Sequence, residues 1–256
     1  MQTADELRDA VEAYLGSLTF APELGGLEEA LRYSLEAGGK RVRPVLCLAV
    51  AEANGASTED ALPAAIALEL VHTFSLVHDD LPAMDDDDER RGRPSAHVAF
   101  GEGVALLSGD ALLSEAFGLA LSYEDVRIAR DLVDATIAMI GGQYRDITGD
   151  TADLEALHGL KTGRLFVAAV RIGLDVARVS ESAHRPWIDF GEDVGLLFQV
   201  VDDLLDGDGY AERLGVDGAR RLADEMSARA ASRLETVGAD TSALREILDA
   251  LTFRTG

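Results

Sequence analysis

Six aspartates fall within ten positions: Asp79 and Asp80, then Leu81-Pro82-Ala83-Met84, then Asp85, Asp86, Asp87 and Asp88, with Arg90 and Arg91 close behind. A second acidic group, Asp202, Asp203 and Asp206, stands far downstream. Both lie at the ends of apolar segments with helical spacing, so a hydrophobic scaffold presents them. Oxygen donors without a nearby cysteine favour Mg²⁺, Mn²⁺ or Ca²⁺ over zinc, and Mg²⁺ typically takes one or two carboxylates together with phosphate oxygens and water. On a helix Asp202 and Asp206 are i and i+4, while Asp203 and Asp206 are i and i+3, so all three can share one edge. They would repel one another unless a cation sits between them. A lone D-D-x-x-D is more often a solvated helix end than a metal site. Two such clusters, each with basic residues near it, reverse that judgement in favour of Mg²⁺ and a polyphosphate. Neither cluster has the alternating ligands and central glycine of an EF-hand loop, so a simple Ca²⁺ module fits poorly.

The positive half of a diphosphate site is also present. Gly38-Gly39-Lys40-Arg41-Val42-Arg43-Pro44 concentrates three cations at a loop-to-helix junction, where free backbone N–H groups favour anions. Arg90-Arg91-Gly92 adds cations beside the first acidic run, and Leu160-Lys161-Thr162-Gly163 adds a lysine and a hydroxyl. Each alone could be an ordinary surface patch.

The elements that must position these groups are helices. Good helix formers run in long blocks and β-branched clusters bounded by turn signals are few, which predicts an all-α chain. Helices are expected at about 4–16, 26–38, 42–54, 58–80, 95–121, 124–148, 153–174, 180–206, 216–237 and 241–252. In the block 58–80, Leu62, Ile66, Leu70, Phe74 and Val77 form one apolar row, while Glu69, His72 and Asp79 form another. His72 and Asp79 are two turns apart, about 10.5 Å along one face, so both can look into one cavity. A histidine in such a place is more often a satisfied core or surface group than a ligand. In the block 180–206, Gly195, Gln199, Asp202 or Asp203, and Asp206 share a stripe within an otherwise apolar helix that should be central. Gly191 and Gly195 there could serve close packing or leave room for a substrate.

Composition narrows the function. The 256 residues suffice for a substantial core, and no linker divides them, so 1–256 reads as one domain. A hydrophobic content of 47% with six prolines indicates a folded chain, with disorder expected only at the ends and near Gly207 to Gly215. The net charge of −24 opposes nucleic acid and anionic membrane as partners. Cys47 is the only cysteine, which excludes an intrachain disulfide and predicts a buried thiol. Residues 1–8 lack the order of a signal peptide, and no apolar run approaches a bilayer-spanning length, so a cytoplasmic protein without stable membrane insertion is expected.

Together and in this order the motifs resemble the trans-isoprenyl diphosphate synthases, with the bacterial farnesyl diphosphate synthase branch the best match. The resemblance runs from about Leu27 to Asp206: G-G-K-R-x-R-P, the long D-D-x-x-x-x-D with R-R-G, G-G-Q at Gly141 to Gln143, L-K-T-G, and F-Q-x-x-D-D-x-x-D at Phe198 to Asp206. It implies an all-α bundle around a deep central cavity, a homodimer, and isopentenyl and allylic diphosphate substrates. It also implies Mg²⁺, about three ions per active site with Mn²⁺ as a possible substitute. By resemblance, Lys40, Arg43, His72 and Arg91 hold the isopentenyl diphosphate headgroup. Asp79, Asp85 and Asp202 resemble the Mg²⁺ ligands, with Asp80, Asp203 and Asp206 supporting them. Arg90 and Lys161 resemble contacts to the allylic diphosphate, while Thr162 and Gln199 resemble groups whose oxygens face a developing carbocation. Phe74, with Ser75 beside it, lies about 7.5 Å deeper than Asp79 along the helix. An aromatic there, with the long first motif, implies a C15 product, although Phe74 would serve equally as core. Geranylgeranyl or geranyl diphosphate are the alternative products.

The chain departs from this pattern after Asp206. The family usually continues with a longer, lysine-containing loop, yet here Gly207 to Gly215 runs almost directly into the next helix and no lysine follows Lys161. Either a mobile lid is omitted from the chain, or the lid is truly shortened, giving a slow enzyme or a catalytically silent partner subunit. Omission is the favoured expectation, because the helices on both sides keep their normal sequence character. A terpene cyclase would share the fold and one aspartate motif but has no need of the Lys40, Arg43 and His72 group.

Overall fold

The computed structural model describes residues 1–150 and 153–252, and they are almost entirely helical. In chain order the helices are α1 (Ala4–Ser17), α2 (Glu28–Leu35), α3 (Val42–Ala53), α4 (Thr58–Asp79), α5 (Ala96–Phe100), α6 (Glu102–Ala120), α7 (Val126–Ile147), α8 (Leu154–His158), α9 (Arg164–Val176), α10 (Arg185–Asp206), α11 (Gly209–Leu214), α12 (Val216–Thr236) and α13 (Ser242–Thr252). A two-residue hairpin, β1 (Glu89–Arg90) with β2 (Arg93–Pro94), sits in the connection after α4. Local chemistry sets many of the boundaries. Thr3 and Glu6 form a reciprocal capping box at α1, and the Ser57 hydroxyl accepts from Asp60 N–H at the start of α4. Gly207, left-handed at φ 79°, ends α10.

Helices α3, α4, α9 and α10 carry the core, with Leu46, Leu48, Ile66, Leu68, Leu70, Phe166 and Phe190 fully buried. Gly191 and Gly195 prove to be packing residues: a Cβ at Gly191 would meet Val170 at 3.0 Å, and one at Gly195 would meet Gly163 Cα at 3.1 Å. Cys47 is buried as expected.

Several expected elements are broken where the sequence pattern ran on. The single helix expected over 95–121 divides at Gly101, whose φ of 87° lies outside helical space. The helix over 153–174 is interrupted by one π turn, Gly159–Gly163, which carries Lys161 and Thr162. The segment Gly207 to Gly215, expected to be disordered or a lid, contains helix α11. The expectation that no apolar run reaches spanning length also needs correction: by length and composition α4, with 22 residues, and α6, with 19, would suffice. In α4 that apolar surface is mostly spent on the core, whereas the corresponding window of α6 is only 39% buried.

Candidate active site

Helices α3, α4, α6, α7, α8 and α10, with the π turn, line a cavity of about 1240 Å³. Small-molecule sites commonly span about 300–1,000 Å³, so this one has room for two substrates. Its wall brings together Lys40, Arg43, His72, Phe74, Ser75, Asp79, Asp85, Arg90, Arg91, Lys161, Thr162, Gln199, Asp202, Asp203 and Asp206. Asp80, and the exposed Asp86, Asp87 and Asp88 of the first run, do not line it.

The two members of each aspartate pair point differently, because successive helical residues are turned by about 100°. Asp79 faces the cavity from the last turn of α4, while Asp80 is buried and accepts from Arg90, which also donates to Asp87 at 3.1 Å. On α10, Asp202 faces the cavity with Asp206 a turn further on. Asp203 is 4% exposed and has both oxygens engaged: Oδ1 accepts from Gln199 Nε2 at 2.7 Å and Oδ2 from the backbone N–H of Tyr210 at 2.8 Å. Gln143 on α7 donates from Nε2 to Asp85 at 3.2 Å.

Burial pushes the Asp79 carboxyl up to about 7, with Asp85 and Asp80 adding repulsion against the pull of Lys161 and Arg90. Burial likewise raises Asp202, and Asp206 raises it further. Carboxylates kept uncomfortable by burial and by one another are what a hard divalent cation relieves. Among the described residues no three acidic, histidine or cysteine side chains converge into a ready-made cage. The donors at hand are carboxylate oxygens, the chemistry that Mg²⁺ shares with phosphate oxygens and water. Asp79, Asp85 and Asp202 are the residues that could hold it.

Another part of the lining is cationic. Arg43 is 8% exposed and stacks over Phe166 at 4.6 Å and Phe198 at 5.5 Å, and burial lowers its pKa to about 10. Its buried Nε has no partner among the described residues, leaving a donor to spare. Burial, reinforced by Arg43 and Arg91, holds His72 well below the ordinary histidine value, so it is neutral at pH 7. Arg91 donates to Gly38 O and lies over Gly39, where a Cβ would come within 2.6 Å of its guanidinium. Only glycine permits that stacking, and Gly39 also has φ 138°.

Lys161 and Thr162 project from the π turn, which packs onto α7 at Gly142, where a Cβ would meet Lys161 N at 2.6 Å. Lys161 pairs with Asp146 at 2.5 Å, and Thr162 Oγ1 donates to Gln199 Oε1 at 2.8 Å. Phe74, 6% exposed, packs edge-on against His78 with centroids 5.1 Å apart, and Ser75 donates to His72 O.

Some supporting contacts carry no motif-level signal, even where the residue itself lies in a motif. Arg41, in the left-handed region at φ 48°, is buried and donates to Glu69 at 2.6 Å, Glu12 at 2.8 Å and Leu35 O at 2.6 Å. Burial alone would lower its pKa, but these two carboxylates carry it above the ordinary guanidinium value. The second row on α4 already grouped Glu69 with His72, but nothing local marks Arg41 as its partner. Asp146 could have been found from its spacing after Gly141-Gly142-Gln143.

Comparison with known proteins finds similar sequences and a similar fold. A family model described as "Polyprenyl synthetase" matches residues 25–249. The farnesyl diphosphate synthase of Bacillus subtilis (strain 168) is 41% identical over 204 residues, which are 74% of this chain and 69% of that protein. The geranylgeranyl diphosphate synthase of Cyanophora paradoxa is 42% identical over 203 residues, 73% of this chain and 67% of that protein. A solved geranyltransferase from Legionella pneumophila matches with a TM-score of 0.88 and 32% identity, covering 98% of this chain and 96% of that one.

Proposed function

We propose, from the premise that this chain belongs to the polyprenyl synthetase family and is a short-chain trans-prenyl diphosphate synthase, that it condenses isopentenyl diphosphate with dimethylallyl or geranyl diphosphate and stops at farnesyl diphosphate. The observation that carries this reading is one cavity with an acidic wall, a cationic wall and an aromatic side chain at its α4 face. Two diphosphates need two different electrostatic settings, and the two walls supply them.

Lys40, Arg43, His72 and Arg91 hold the isopentenyl diphosphate, the arginines by charge and neutral His72 by a hydrogen bond. Arg90 and Lys161 take the allylic diphosphate. The chemistry that Mg²⁺ supplies when bound at Asp79, Asp85 and Asp202 is neutralisation of that diphosphate as a leaving group. Heterolysis of the allylic C–O bond leaves a short-lived cation, which the oxygen dipoles of Thr162 and Gln199 stabilise in place of water. The isopentenyl double bond attacks it, forming the new C–C bond, and a proton then leaves to the departing diphosphate. Phe74 closes the path of the growing chain, which favours the C15 product. Relatives that make farnesyl and geranylgeranyl diphosphate match about equally well, so Phe74 is the reason for choosing the shorter product.

The same reading makes the chain a cytoplasmic homodimer. On α7, Val133 and Ile137 are exposed one turn apart, with Ile140, Tyr144 and Ile147 continuing the stripe along the cavity's edge, and α6 exposes Leu106 and Leu107. A second copy seated there would cover both helices. The sequence is continuous from Asp206 to Val216, so the lid is read as shortened, with α11 in its place. A silent partner subunit is the second reading, supported by the lack of any lysine after Lys161. Incorporation of radiolabelled isopentenyl diphosphate by the purified chain alone, abolished by EDTA, separates the two. Binding of the diphosphate without incorporation would favour the silent subunit.

A further inference from the structure

Three hydrogen bonds join in series from the shortened lid to the hydroxyl of the π turn. The backbone N–H of Tyr210 donates to Asp203 Oδ2 at 2.8 Å, Gln199 Nε2 donates to Asp203 Oδ1 at 2.7 Å, and Thr162 Oγ1 donates to Gln199 Oε1 at 2.8 Å. Their polarity is fixed by chemistry. A carboxylate only accepts, so Gln199 must turn its NH₂ toward Asp203 and its oxygen toward Thr162. The single hydroxyl proton of Thr162 is then spent on Gln199, which leaves the lone pairs of Oγ1 free toward the cavity that both residues line.

The first link exists because of where α11 begins. Tyr210 is the second residue of α11, and the early N–H groups of a helix have no intrahelical acceptor, so this one is free for Asp203. Gly209, at φ +46°, lies against the Asp203 carboxylate so closely that any Cβ there would overlap it. The Tyr210 ring lies tilted on His158, centroids 5.6 Å apart, which holds the start of α11 in place.

We propose that the Tyr210 backbone N–H is a positioning group for the chemical step, acting through Asp203 and Gln199 to present the lone pairs of Thr162 to the allylic cation. This inference rests on the prenyl-transfer reading above. It gives the short helix that replaces the lysine-bearing loop a task inside the cavity.

The test compares Tyr210→Pro, which removes the N–H at a helix position where proline is tolerated, with Tyr210→Ala, which keeps it. Loss of one hydrogen bond to a charged group corresponds to about tenfold to a hundredfold. The proline variant is expected to fall by that factor in kcat below the alanine variant, with KM for both diphosphates unchanged. It should also release more allylic alcohol per elongated product, because a poorly held cation is captured by water. A merely structural defect would lower the active fraction and leave that ratio alone. Equal kcat and equal ratios in the two variants would overturn the proposal. If Tyr210→Pro does not fold, Gly209→Ala displaces the same carboxylate and carries the same expectations, and parent-like behaviour there overturns the proposal. One readout needs no turnover: the sequence has three glutamines, Gln2, Gln143 and Gln199, so selective ¹⁵N labelling resolves the Gln199 amide by NMR. Its NH₂ exchange should speed up about tenfold or more in Tyr210→Pro. Unchanged exchange would refute the relay even in an inactive chain, whereas an inactive parent with the relay intact would count only against prenyl transfer.

Discussion

Removing the Glu69 carboxylate tests whether the cationic wall stands on a buried ion pair. The Arg41 side chain is 1% exposed and that of Glu69 3%, so Glu69→Ala leaves a guanidinium N–H uncompensated inside the protein. Breaking such a pair typically costs about 3–5 kcal/mol. Glu12 still neutralises Arg41 from the other side, which places the expectation at the low end, about 3 kcal/mol. In a chain of this size that corresponds to a melting temperature lower by about 6–12 °C. Glu12→Ala is the internal control. Its side chain is 46% exposed, so its loss should cost about 1 kcal/mol or less. Urea unfolding of the three proteins measures both values. The loop from Gly38 to Arg41 also presents Lys40, so at a temperature where Glu69→Ala is folded its KM for isopentenyl diphosphate should rise more than its kcat falls. A Glu69→Ala protein as stable as Glu12→Ala would refute the reasoning.

Three further outcomes follow from the site. Asp79→Ala and Asp202→Ala should each lower kcat by about a hundredfold or more, whereas exposed Asp88→Ala should lose far less; equal losses at all three would show that the ranking of carboxylates is wrong. Phe74→Ala should shift the product from C15 toward C20, seen by chromatography of the dephosphorylated alcohols, and an unchanged C15 product would remove Phe74 as the stop. Asp175 is buried beside Arg127 and Asp131, and burial pushes its carboxyl up to about 6. That is above the unfolded value of about 3.9, so the folded chain holds the extra proton between these two values, and stability falls as pH rises through that window. Asp175→Asn should abolish that fall, making the variant more stable relative to its parent at pH 8 than at pH 4.5 in thermal melts.

Periodicity made the long helices legible, and the two aspartate runs with their basic companions made the cavity's chemistry legible. What the sequence withheld was direction. Asp79 and Asp80 are neighbours of one type, yet one faces the cavity and the other binds Arg90, and nothing in D-D tells them apart. Asp202 and Asp203 both line the cavity, yet only Asp203 is tied to Gln199 and Tyr210. Backbone breaks were hidden where helix formers continue through them, as at Gly101 and at the π turn that carries Lys161 and Thr162. Helix α11 is only six residues long, too short to show a period, and the glycines around it read as a loop. Arg41 and Glu69 are 28 positions apart, and only the fold brings them together.

Incubating the purified chain with isopentenyl diphosphate, geranyl diphosphate and Mg²⁺, then dephosphorylating and sizing the products, tests the central claim most directly. A C15 alcohol that disappears with EDTA is the predicted result. Folded protein that binds both diphosphates but yields no elongated product would contradict it.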